Sequence, residues 1–164
     1  MPRLFPLVAL LLLAPAAVAQ ADAAQDDEAA QDDEAAQDDE AAVLAAVNEL
    51  WEAMRTGDST RARAVIHPEA RGYTVGMRGG QAALMQGAPE DFITAIGTPH
   101  DEVWDERVTN EEVRLDGPLA TYYADYEFWL GDERSHCGVD AFQLMKTESG
   151  WQLFVLTDTR RACE

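Results

Sequence analysis

Positive charge is what this sequence has least of. Lys146 is its only lysine, twelve basic residues stand against thirty-one acidic ones, and the formal net charge is −19. Such a chain repels a phosphate backbone and an anionic lipid surface, so neither nucleic acid nor, in the mature form, a membrane is expected as a partner. Histidine is scarce too. His67, His100 and His136 share no ligand spacing with one another or with the two cysteines, so no metal site is expected. The glycine-rich stretch at residues 76–80 lacks the lysine and the helix that a phosphate loop needs, and no serine nucleophile elbow is present. No cofactor follows from any of this. Long apolar runs are missing except at residues 4–13, and ten residues are too few to span a bilayer comfortably. With Arg3 before it and Ala17-Val18-Ala19 after it, that run has the layout of a secretory signal. Residues 1–19 are therefore read as a signal peptide, and the protein as exported, periplasmic or secreted.

Next comes a hexapeptide, Ala-Ala-Gln-Asp-Asp-Glu, three times over residues 23–40. A period of six suits neither a helical nor a strand face, and the repeat has no large apolar group to bury, so residues 20–40 read as a solvated, disordered spacer. A second reading is a helical extension of the first domain helix, because alanine favours helix and acids favour its N-terminal end. An acidic interaction tail is a third. Residues 41–164 form one domain, still acidic, with twenty-one acids against eleven bases.

Within it, Val43, Leu44, Val47, Leu50, Trp51 and Met54 recur at helical spacing. Gly57 ends that helix, and Asp58 caps a second over residues 59–66. Residues 71–75 and 82–86 read as short strands around the glycine bend. Pro89 opens a third helix that Gly97 stops. A strand over residues 102–115, bulged near Thr109 and Asn110, leads into an antiparallel meander of three long strands over residues 116–161. Three helices from the N-terminal half, packed in the concavity of a curved antiparallel sheet, make a cone-shaped α+β fold with an open wide end. Counting back from the last turn sets Cys137 opposite Arg160. A disulfide to Cys163 then requires the C-terminus to curl back; otherwise Cys137 is a small buried hydrophobe and Cys163 a terminal thiol.

The segments MRTGD (54–58), HPEA (67–70), DGPLATYYADYEFWL (116–130), HCGVDAFQL (136–144) and SGWQL (149–153) resemble the nuclear transport factor 2-like superfamily, in its bacterial SnoaL-like, ketosteroid-isomerase-like branch. The resemblance covers residues 41–160. It implies the cone fold and a pocket, and a function drawn from isomerases, dehydratases, epoxide hydrolases, cyclases or non-catalytic binding domains. It also implies a homodimer through the outer sheet face, with Tyr123 and Trp129 as anchors. No motif aligns with the acidic bases of the steroid isomerases.

Alternation along the meander puts Ala120, Tyr122, Ala124, Tyr126 and Phe128 on one face. If that face meets the helices, His136, Tyr126 and Asp140 are candidate acid and base groups. Trp51, Met54, Tyr122, Phe128 and Arg160 are then candidate ligand contacts, with Ala124 and Gly138 leaving room. Three functions follow. The first is binding of a small apolar or aromatic molecule, with or without catalysis. The others are isomerisation, dehydration or cyclisation by acid–base chemistry, and a non-catalytic dimeric interaction domain.

Overall fold

A computed structural model describes the backbone of residues 16–164 and the side chains of residues 35–164. The signal segment at 1–19 lies outside the described residues except for the backbone of its last four. Two compact units divide the chain, Met1–Ala35 and Ala36–Glu164, and the second is the subject below. The Asp39 carboxylate accepts from Trp151 Nε1 at 3.2 Å and pairs with Lys146 Nζ at 2.7 Å, joining the end of the repeat to the sheet.

Helix α1 (Ala16–Thr56) carries the repeat in its N-terminal part. Its last four turns bury Val43, Val47, Leu50, Trp51 and Met54. Gly57 stops it at φ +65°, where the Asp58 amide donates back to the Ala53 carbonyl at 2.9 Å. That bond and the one from the Gly57 amide to Met54 O form a Schellman end, in which the left-handed residue costs glycine little. Asp58 then accepts from the Thr60 and Arg61 amides and starts α2 (Ser59–Val65), so one corner turns the chain through both helices. Helix α3 (Pro89–Gly97) buries Ile93 and Ile96.

The strands are β1 (Ile66–Arg78), β2 (Gln81–Gly87), β3 (Trp104–Asp116), β4 (Leu119–Leu130), β5 (Glu133–Thr147) and β6 (Gly150–Thr159). They form one curved sheet in the order β2-β1-β6-β5-β4-β3. The meander and its bulge match the sequence reading: register slips between Thr109 and Glu112, and Asn110 sits at φ +56°. Two points differ. The sheet is mixed, because β1 lies parallel to β6, and β1 is longer than expected because it pairs on both sides, with β2 and with β6. That parallel pair joins segments some eighty residues apart, and its slip between Ile66 and Arg71 accommodates Pro68, which has no amide to give a ladder.

The cysteines are joined, Cys137 to Cys163. A slip between Gln143 and Leu144 moves Cys137 opposite Arg161 rather than Arg160. Cys163 then has only two residues to curl back.

Candidate functional site

Strand register decides what faces the helices. Phe128 lies opposite Glu106 on one side and His136 on the other, while Asp140 lies opposite Ala124 and Asp158. Trp51 and Met54 of α1 and Phe92 of α3 cover these residues, leaving a cavity of about 580 Å³. This is a volume suited to a small organic molecule. Its walls are chiefly apolar and aromatic, with Trp104 edge-on to Phe128 at 6.1 Å.

Trp51, Met54, Phe128 and Arg160 line this cavity together with Tyr126, His136 and Asp140. Tyr122 does not. It lies four residues along β4 from Tyr126, toward the closed end, 1% exposed, with its ring 5.7 Å from Phe142 and its hydroxyl donating to Glu111 at the bulge. Burial and that carboxylate raise its pKa, as suits a structural phenol. Gly138 does not open space for a ligand either. A Cβ there would run into the Thr159 carbonyl and the Tyr126 ring, so the missing side chain lets Tyr126 and β6 close in.

Although they share the cavity, no hydrogen bond joins His136 to Tyr126 or Asp140 among the described residues. The imidazole meets the Tyr126 ring edge-on at 5.8 Å and its Nδ1 faces Ser135 Oγ at 3.1 Å. The Tyr126 hydroxyl donates to the Thr159 carbonyl at 2.8 Å, and burial raises its pKa. Burial, then the Arg160 guanidinium, lower the pKa of His136, while Asp158 opposes them weakly. His136 thus stands in the wall with its charged form disfavoured.

Sequence reasoning named Asp140 but missed its neighbour. Glu106 of β3 is half-buried beside Asp140 of β5, and the loss of water around its carboxyl pushes it up to about 7, with Asp140 opposing the rise. Asp140 is 2% exposed, and burial and the Glu106 charge raise its pKa well above the carboxylate range. Two adjacent carboxyls in an apolar setting cannot both ionise cheaply, which favours a shared proton. Even so, Asp140 Oδ2 is fully buried with no hydrogen-bond partner. The sign of Glu106 was present in the alternation of Trp104, Glu106 and Val108, whose apolar members mark an inward face. Nearby Asp158 is satisfied, accepting from Thr74 Oγ1 and from Arg160 Nε at 2.9 Å.

No family model matches the sequence, and no curated protein matches it. Solved structures do. The Kfla4162 protein from Kribbella flavida is 20% identical, with a TM-score of 0.61 over 79% of this chain and 95% of its own. An NTF2-like protein of unknown function from Silicibacter pomeroyi is 18% identical, with a TM-score of 0.57 over 77% of this chain and 98% of its own. The CaMKII hub of S. rosetta is 17% identical, with a TM-score of 0.56 over 73% of this chain and 95% of its own. At such identities the likeness is one of fold.

Proposed function

We propose that this chain, which has the fold of the nuclear transport factor 2-like proteins, binds a small molecule with a largely apolar body and one polar end in the cavity of its sheet. The observation that carries this is the distribution of polarity: aromatic and aliphatic walls around a buried Asp140 whose Oδ2 has no hydrogen-bond partner, with the half-buried Glu106 beside it. Apolar burial supplies affinity there, and the few polar groups, Asp140 first, supply orientation. Native mass spectrometry of the purified protein tests it. A retained small compound, released on denaturation and absent from an Ala95→Trp variant that fills the cavity, is expected. An empty protein that no compound panel stabilises against heat would defeat the reading.

A second reading, proton-transfer catalysis, is favoured by the same pair, since a carboxyl held at about 7 can both give and take a proton near neutral pH. On this reading Glu106 and Asp140 are the acid and base, in place of His136 and Tyr126. Its mark would be a pH–rate profile that loses its inflection near neutrality in Glu106→Gln.

Export from the cell is part of the proposal, supported by the signal-like residues 1–19 and by the Cys137–Cys163 disulfide, a bond that persists in oxidising compartments. So is pairing of two copies through the outer sheet face. There Tyr123 is 49% exposed, whereas Trp129 is half-buried beneath the Arg107 guanidinium, 4.2 Å from its ring centre. Tyr123 rather than Trp129 is therefore the anchor of that contact.

A further inference from the structure

Taking the cavity as a binding site, the charges around it can be assigned one by one. Arg160 is the one formal cation among the described residues that line it. Its Nε is bonded to Asp158 at 2.9 Å and its side chain is 59% exposed, although its charge still reaches Glu106 and Asp140. Asp158 is further satisfied by Thr74 and, at 3.4 Å, by the Tyr126 hydroxyl. His136 faces Ser135. Arg160 is thus paired with Asp158, and no cation among the described lining residues is bonded to Glu106 or Asp140. Ionisation of either carboxyl leaves a negative charge in an apolar wall, and Asp140 Oδ2 has no hydrogen-bond partner. A buried charge left in this state is costly unless something pairs with it.

We infer that the occupant is an apolar or aromatic amine in its cationic form, with the ammonium against Glu106 and Asp140 and the body among Trp51, Trp104, Phe128 and Phe142. An ammonium brings both things the pair lacks, a positive charge and several N–H donors. The aromatic walls add to this, because ring faces attract a desolvated cation. An anion meets the opposite conditions, since Arg160 Nε is bonded to Asp158 and the carboxyls repel it. A metal ion is a poorer fit, because no group of three histidine, cysteine or carboxylate side chains is placed to hold one among the described residues. An alcohol could give Asp140 its donor but not the charge.

Isothermal titration of the full chain near neutral pH with three probes sharing one body, 2-naphthylmethylamine, 2-naphthylmethanol and 2-naphthoate, distinguishes these cases. The amine is expected to bind about tenfold or more tighter than the alcohol, with naphthoate weakest. In a Glu106→Gln, Asp140→Asn double variant, shown to be folded by circular dichroism, the amine's advantage over the alcohol should fall away. If the alcohol equals the amine, or naphthoate binds tightest, the cationic occupant is overturned while the cavity stands as a binding site. An advantage that survives the double variant overturns the carboxyl pair as its seat. Failure of all three probes to bind removes the binding reading and this inference together.

Discussion

At Gly138 a hydrogen in place of a methyl group decides whether β6 can close on β5. The Thr159 carbonyl and the Tyr126 ring occupy the place a Cβ would take, and one of those obstacles is backbone that cannot rotate aside. Gly138→Ala should therefore destabilise the fold by about 2 kcal/mol or more, read as a lower urea midpoint with unchanged slope. The carboxyl pair makes a different demand. Glu106 and Asp140 are held above their unfolded-state pKa values, so the folded chain binds more protons than the unfolded one between the two sets of values. Their contribution to stability is full below the unfolded carboxylate range, near pH 4, and is lost as pH rises toward about 7. Urea midpoints of the wild type and the Glu106→Gln, Asp140→Asn variant should thus diverge across that window, with the wild type falling more steeply as pH rises. His136 should titrate below the free histidine value by NMR, and Arg160→Gln, which removes a neighbouring positive charge, should bring it part of the way back.

At the scale of elements, the short connections hold helices and strands to one geometry. The disulfide closes a loop between residues 26 apart and ties the C-terminus to β5 beside the cavity wall. Cys163→Ser should cost roughly 3 kcal/mol by the loop-entropy argument, and thermal melting with and without reductant should show the wild type losing a similar amount on reduction. The bulge in β3 has its own role. It sets Glu111 where the Tyr122 hydroxyl can reach it, so a buried phenol is satisfied from the bulge.

For the whole molecule, the consequence of a curved sheet is a cavity that no pair of adjacent elements could form. Directly across β4 from Glu106 lies His136, not Asp140, which is four residues further along β5. The two carboxyls approach each other on the concave face because the sheet wraps. The outer face has the opposite curvature and is where a second copy is proposed to bind. Tyr123→Glu should shift a sedimenting dimer to monomer with the circular dichroism spectrum unchanged. Trp129→Glu should instead lower stability, since Trp129 is covered by Arg107 and donates to Glu127 at 3.2 Å.

Periodicity alone determined much of this protein. The face of α1 that carries Trp51 and Met54, the corner at Gly57 and Asp58, the start of α3 at Pro89, and the inward side of Tyr126 and Phe128 all depend on interactions within a few residues, which a local pattern records. The bulge at Asn110 was legible for the same reason, as a polar residue tolerant of positive φ in an otherwise alternating strand. Tertiary structure alone decided the rest. The parallel pairing of β1 with β6 joins distant segments and leaves no local mark. A single slip between Gln143 and Leu144 brought the cysteines within reach of each other. The approach of Glu106 to Asp140 depends on curvature, which no one strand encodes, and it joins an acid that alternation marked as a candidate to one that it passed over.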